Sequence, residues 1–341
     1  MSLLRVENLQ IRYRTSEGEV QAADQITFPL EENQYLGLVG ESGCGKTTVA
    51  KAILRLLPAN GYVSGGKIFF RGRDILPLSE ADFRKLRWKE ISMISQSAMN
   101  ALDPVYRVED QIIEAIRAHE PLSWEQARAR AAQLFALVGM DRRRLRDYPH
   151  QFSGGMRQRT IIAMALALNP GLILADEPTT ALDMIVQDQV LRKIKQLRRE
   201  LKNSMLVITH DIAVVAENCD QMVVMYAGWV AERAKTRDLF RRPLHPYTMG
   251  LQNAFPSMKG PRKELVQIPG YPPSLIHPPS GCRFHPRCPF AQVLCSREEP
   301  GEVEGEPGHW VRCHLWEQAE ELKKKSVKPE TWVNKGDVTL G

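Results

Sequence analysis

The chain has 341 residues, 43% hydrophobic and 25% charged, and 46 basic against 40 acidic side chains leave a net charge of +6. That is ordinary globular composition, long enough for two or three domains with a sizeable core. No apolar run reaches the ~20 residues of a spanning helix, and no dense Lys/Arg tract with interleaved aromatics argues for nucleic acid, so a soluble, cytosolic chain that meets a membrane only through partners is expected.

Alternating apolar and polar residues over 1–35, such as Leu4, Val6, Leu9, Ile11 and Tyr13, predict antiparallel strands with a turn near Ser16-Glu17-Gly18. Tyr35-Leu36-Gly37-Leu38-Val39 reads as a buried strand ended by Gly40. Behind it Ala50, Ile53, Leu54 and Leu57 fall at helical spacing until Pro58 stops the pattern. The order is strand, loop, helix. Residues 91–95 predict another strand, running to Gln96. From there to about 155 the pattern is helical. Ser123-Trp124-Glu125-Gln126 makes a capping box, and Ala131, Leu134, Phe135 and Val138 form one stripe closed by Gly139. Helix is expected again over 156–168 and strands over 172–175 and 205–209, with a hairpin from 222–226 and 229–231 about Ala227-Gly228. Beyond about 236, prolines gather at 269, 272, 273, 278, 279, 286 and 289. The stretch 298–308 reads as an acidic loop, and Lys323-Lys324-Lys325 onward as a mobile tail. No internal repeat appears, so the chain holds one nucleotide cassette.

Gly40-Glu41-Ser42-Gly43-Cys44-Gly45-Lys46-Thr47 matches G-x-x-x-x-G-K-[ST] between the required strand and helix. Its glycines let consecutive N–H groups wrap phosphates, Lys46 neutralises the β- and γ-phosphate oxygens, and the Thr47 hydroxyl ligates Mg²⁺. Cys44 is a small residue that fits the loop; the sharper reading is a redox-sensing thiol of lowered pKa. The apolar run 172–175 ends in Asp176-Glu177. Neighbouring strand residues face opposite ways, so the two carboxylates divide the work. Asp176 suits Mg²⁺, directly or through water, and Glu177 suits orienting and deprotonating the attacking water. Ser153-Gly154-Gly155 enters a helix more than a hundred residues after the phosphate loop, a second anion-binding loop able to meet the same nucleotide across a dimer. Cys282, Cys288, Cys295 and Cys313, spaced C-x5-C-x6-C-x17-C, suit Zn²⁺ or an iron–sulfur cluster, with His285, His309 and His314 as alternate ligands. The spacing does not choose between them.

Taken in order over roughly residues 3–240, these motifs resemble the ATP-binding subunits of ABC transporters: residues 40–48, Gln96, Ser153-Gly154-Gly155, Asp176-Glu177-Pro178-Thr179, Ala181-Leu182-Asp183 and Thr209-His210-Asp211. The resemblance implies an α/β, ABC-type P-loop ATPase over 1–240, with a RecA-like core, an antiparallel β subdomain and a helical subdomain at about 97–157. Residues 241–341 are then a C-terminal, cysteine-containing extension. It implies that Gly40, Glu41, Ser42, Gly43, Cys44, Gly45, Lys46, Thr47 and Thr48 hold ATP. Tyr13 would stack on adenine. Thr47, Gln96 and Asp176 would serve Mg²⁺, and Gln96 would relay to the membrane subunit. Ser153, Gly154 and Gly155, with Gln158 behind them, would contact the nucleotide on a partner's loop, Asp183 would couple the two sites, and Glu177 and His210 would be catalytic. Phe152 stands where the family usually has Leu.

Arg241-Arg242-Pro243-Leu244-His245-Pro246-Tyr247-Thr248 and Gly281-Cys282-Arg283-Phe284-His285-Pro286-Arg287-Cys288-Pro289 are similar to segments of dipeptide, oligopeptide and nickel importer ATPases. The Gly18-Glu19-Val20 turn leans toward the D-type subunit. This resemblance implies a [4Fe-4S] cluster on Cys282, Cys288, Cys295 and Cys313, and a second, non-identical ATPase subunit. It also implies two transmembrane permeases met by residues 97–110, an extracytoplasmic binding protein, and a place on the cytoplasmic face of the membrane. The alternative is a soluble ABC-type ATPase acting on DNA or ribosomes. Such chains usually carry two cassettes or a long coiled-coil insertion, and this one carries neither.

Overall fold

A computed structural model describes residues 2–95, 101–178, 187, 196, 202–255 and 265–332. In chain order its elements are β1 (Ser2–Thr15), β2 (Gly18–Glu31), β3 (Tyr35–Val39), α1 (Lys46–Ile53), β4 (Gly61–Phe70) and β5 (Arg73–Asp74). There follow α2 (Glu80–Leu86), β6 (Ile91–Ile94), α3 (Val108–Arg117), α4 (Trp124–Leu137), α5 (Gly154–Ala165), β7 (Leu172–Asp176) and β8 (Ser204–Thr209). The later strands are β9 (Gln221–Tyr226), β10 (Trp229–Lys235), β11 (Val303–Glu306) and β12 (His309–Val311). The chain divides into two compact units, residues 1–4, 30–35 and 70–208, and residues 5–29, 36–69 and 209–341.

The second of these units carries the phosphate loop. Its antiparallel sheet runs β2-β1-β4. The alternation read in the sequence is real, because Leu9, Ile11, Ile26 and Phe28 are all fully buried. β3 is buried at every residue, as a strand covered on both faces must be, and pairs in parallel with β9. β9 turns through Ala227-Gly228 into β10, the predicted hairpin.

Two expectations for the C-terminal extension are corrected. The stretch 298–308 is not simply a loop: Val303–Glu306 and His309–Val311 form a hairpin, and β12 pairs antiparallel with β10. The apolar signal there is a few residues, Val303 and Val311, which pack with Leu244, Met249, Leu315 and Leu322 in one core. Nor is the lysine run a tail. Residues Ala319–Ser326 form a helix whose last turn carries Lys323, Lys324 and Lys325, where cations favour the helix dipole. Ala319 and Leu322 are buried, and the Asn253 side chain donates to the Ser326 carbonyl at 2.8 Å.

In the other unit β6, β7 and β8 run in parallel, with Ile94 opposite Ala175 and Asp176 opposite Ile208. Helices α3 and α4 supply the expected helical region. The Ser123 capping box forms, with the hydroxyl accepting from Gln126 N at 3.2 Å and the Gln126 side chain accepting from Ser123 N at 2.8 Å. β4 and α2 had no expectation in the sequence; α2 is announced by Ser79, whose hydroxyl accepts from Asp82 N.

Candidate nucleotide site

The phosphate loop joins β3 to α1. Gly45 lies at φ 100, and a Cβ there would sit 2.2 Å from the Ala22 carbonyl oxygen. Only a residue without Cβ closes this turn. Lys46, 5% exposed, donates from Nζ to the Gly40 and Glu41 carbonyls at 2.8 and 2.9 Å, so its charge is held against the first two residues of the loop. Cys44 is buried and its thiol lies 3.5 Å from Lys46 Nζ. Burial raises its pKa even against the lysine beside it, which corrects the reading of a low-pKa sensor. The Tyr13 hydroxyl donates to Thr48 Oγ1 at 3.3 Å, so the strand tyrosine stands over the start of α1. Thr47 begins that same helix at its second residue.

Glu41 has all its polar groups engaged inside the protein. Its N–H donates to the Tyr247 hydroxyl at 2.9 Å, its carbonyl accepts from Lys46, and its carboxylate takes both terminal nitrogens of Arg287 at 2.5 and 2.9 Å. The Arg-Arg-Pro-Leu-His-Pro-Tyr segment thereby acquires a physical reason. His245 caps the helix Pro246–Asn253 by accepting from Tyr247 N, Pro246 takes the first helical position, and Tyr247 reaches the phosphate loop. His245 is 3% exposed, and burial pushes its pKa down to about 3, which keeps the cap neutral. Sequence reasoning placed Glu41 among the ATP contacts but gave Arg287 and Tyr247 no role at the nucleotide.

His210 is exposed just after β8. It sits within a tight local turn, where Thr209 Oγ1 accepts from Asp211 N at 3.0 Å and the Asp211 carboxylate accepts from Ala213 N at 2.8 Å.

The other unit holds the acidic pair and the serine-glycine loop. Asp176 ends β7 and is 1% exposed. Glu177 follows at φ 47, a left-handed conformation that costs a non-glycine residue free energy and is held here by its N–H, which donates to Ile208 O at 2.8 Å. Ser153 caps α5 by accepting from Met156 N, which leaves Gly154 and Gly155 as the first helical residues. Phe152 is buried, 6.5 Å from Phe135 between ring centres, so an aromatic serves where a leucine would. Gln158 is buried, and its amide donates to Pro178 O at 2.6 Å, tying the serine-glycine helix to the residue after Glu177. Gln96 and Asp183 lie outside the described residues.

The four clustered cysteines are drawn into one region. The thiols of Cys282, Cys295 and Cys313 each act electrostatically on Cys288. Backbone N–H groups two residues on, from Phe284, Phe290 and Leu315, point at the sulfurs of Cys282, Cys288 and Cys313. Burial raises Cys282 to about 11 and Cys313 to about 12. Yet among the described residues no three His, Cys, Asp or Glu side chains form a group that could hold a metal ion, so the geometry does not support a metal centre there. His285 and His314 turn to the Cys282 and Glu298 carbonyls, and His309 to Glu232.

Residues 23–180 match the family model for the ABC transporter, and residues 231–295 that for the oligopeptide/dipeptide transporter C-terminal region. The oligopeptide transport ATP-binding protein OppD of Escherichia coli is 45% identical over 314 residues, 92% of this chain and 93% of its own. The chain belongs to the ATP-binding subunits of ABC transporters. The dipeptide transport ATP-binding protein DppD of Bacillus subtilis is 43% identical over 322 residues, 94% of this chain and 96% of its own. These names agree with the D-type lean of the N-terminal turn. Among solved structures, the dimeric ATP-binding cassette MJ0796 bound to ADP and Pi matches at a TM-score of 0.62 and 27% identity, covering 69% of this chain and 99% of that one. Among the described residues no helix is long and apolar enough to cross a membrane.

Proposed function

We propose that this chain is the D-type subunit that binds and hydrolyses ATP to energise import of peptides through an ABC transporter. The observation that carries the reading is the union, in one chain, of the phosphate loop and a C-terminal region matching the oligopeptide/dipeptide family. The named relatives extend that match over nine-tenths of the sequence. The reading as a soluble ATPase of DNA or ribosomes is not supported by these matches.

In this reading Lys46, Thr47, Thr48 and the loop amides hold the triphosphate and Tyr13 lies beside the base. Asp176, Thr47 and Gln96 serve Mg²⁺. Glu177 activates water, with His210 holding the γ-phosphate. Ser153, Gly154 and Gly155 close on the nucleotide of a second ATPase subunit, and Asp183 couples the two sites. The domain boundary falls near 240, with the helical part at about 97–157. Exposed Val105 and Tyr106, at 71% and 58%, offer an apolar contact for a permease at the cytoplasmic face. An extracytoplasmic protein supplies the peptide. The test is isolation with its permeases and a second ATPase. Vesicles that accumulate labelled oligopeptide with ATP, and not with Glu177→Gln, are the expected result; ATP turnover indifferent to permease and peptide is the opposing one.

A [4Fe-4S] cluster on Cys282, Cys288, Cys295 and Cys313 is a finer part of the same reading. What supports it is the set of four cysteines itself, the electrostatic action of three of its thiols on Cys288 and the backbone amides aimed at three of the sulfurs. A cluster would have a structural or regulatory role, since ATP hydrolysis needs no redox chemistry. Protein made without oxygen should be brown and carry iron and sulfide together. Colourless protein free of iron would remove the cluster.

A further inference from the structure

Arg287 is a buried cation 246 residues from its carboxylate partner, and the ATPase motifs give it no task. Its side chain is 7% exposed. Both terminal nitrogens grip Glu41, as a planar fork grips a carboxylate. The remaining donors are also used. Nε donates to Pro269 O at 2.8 Å, one terminal nitrogen also meets the Tyr226 hydroxyl at 3.3 Å, and the other meets Gly270 O at 3.2 Å. A guanidinium so fully committed is fixed in place, and it fixes what it holds.

What it holds is the second residue of the phosphate loop. Glu41 is pinned at its carboxylate by Arg287, at its N–H by Tyr247 and at its carbonyl by Lys46. Tyr247 is fully buried, packed against Tyr226 and Phe284, so its hydroxyl is as immobile as the guanidinium. The charge matters as much as the shape. A polyphosphate arriving at this loop meets a carboxylate one residue from its first glycine. Paired with Arg287, that carboxylate is neutralised; unpaired, it repels the ligand.

We propose that Arg287 and Tyr247 are positioning residues of the nucleotide site: the C-terminal extension holds the phosphate loop through Glu41, and ATP affinity depends on that hold. The proposal rests on the phosphate loop being the ATP site, and a Lys46→Ala control tests that separately. If Lys46→Ala abolishes binding while the Arg287 variant binds like wild type, the clamp has failed and the ATP site has not.

The experiment is titration of the full-length chain with a fluorescent ATP analogue, alongside steady-state ATPase kinetics and melting of the nucleotide-free protein. Arg287→Ala is expected to raise the Kd about 10- to 100-fold, or about 1.4–2.7 kcal/mol, with the loss appearing in KM more than in kcat. Adding Glu41→Gln, which removes the uncompensated charge, should recover the electrostatic part of that loss and leave the part that comes from the lost hold. A purely structural arginine would lower the melting temperature, leave the Kd of the folded protein unchanged and gain nothing from Glu41→Gln, and that pattern overturns the proposal. Should Arg287→Ala not fold, Tyr247→Phe removes a single oxygen. A Kd at least several-fold higher upholds the clamp, and an unchanged Kd overturns it.

Discussion

Replacing Gly45 by alanine tests how far the loop's conformation is required. The added Cβ would sit 2.2 Å from the Ala22 carbonyl oxygen, a backbone atom that cannot swing aside as a side chain would. Relief to ordinary van der Waals contact needs a displacement of about 1 Å, and misplacement on that scale at a reacting centre is worth about 100-fold in rate. The backbone at φ 100 adds about 1–2 kcal/mol for an L-residue in the left-handed region. Gly45→Ala should therefore bind ATP at least tenfold more weakly and turn over about 100-fold more slowly, with the fold otherwise retained. Nucleotide titration and steady-state ATPase rates read the two effects, and circular dichroism confirms folding. Wild-type affinity and rate in a folded Gly45→Ala protein would mean that the loop tolerates a Cβ at this position and that its turn does not require glycine.

Further outcomes are expected. Glu177→Gln should lose ~10²–10⁴ of turnover, the usual worth of a general base, while still binding ATP and accumulating ATP-dependent dimers; near-normal turnover would remove Glu177 from the role. His245, held at about 3 against 6.5 for the free side chain, is neutral in the fold and takes a proton on unfolding. Its contribution is fully present above pH 6.5 and is lost as pH falls toward 3, by up to ~1.4 kcal/mol per unit. Denaturant melts from pH 7 to 4 should show that slope, and His245→Asn should flatten it; an equal slope in both would contradict the assignment. Cys44, buried with a raised pKa, should resist alkylation at pH 8 until the protein is denatured, whereas rapid labelling of the native chain would show an open loop. Val105→Ser with Tyr106→Ser should weaken retention by the permeases without changing the isolated ATPase rate, and unchanged retention would move the contact elsewhere.

The phosphate loop was legible because its chemistry is local: glycines, a lysine and a threonine within eight residues, between a strand and a helix. The β1–β2 hairpin and the β9–β10 turn were legible for the same reason, as was the Ser123 capping box. The C-terminal hairpin was not. Its apolar signal is confined to short strands of four and three residues, and the sheet edge of β10 decides the rest. The helix over the lysine run was hidden because Ala319 and Leu322 are the two apolar residues among its eight. Most opaque was the hold on Glu41. Arg287 and Tyr247 lie in segments singled out by resemblance, yet nothing in a linear sequence says that residues 246 and 206 positions away meet the phosphate loop. Cys44 shows the reverse. Of its two readings, the small residue that fits the loop stands and the low-pKa thiol falls, because burial outweighs the lysine beside it, which only the structure shows.

ATP hydrolysis by this chain drives peptides through a membrane partner. The most direct test is uptake by sealed vesicles holding this subunit, its second ATPase and their permeases, with the binding protein and a labelled oligopeptide. Uptake should require ATP, stop with Glu177→Gln and accompany peptide-stimulated hydrolysis. Hydrolysis that proceeds at full rate with no peptide accumulation, whatever peptide or permease is supplied, would contradict it.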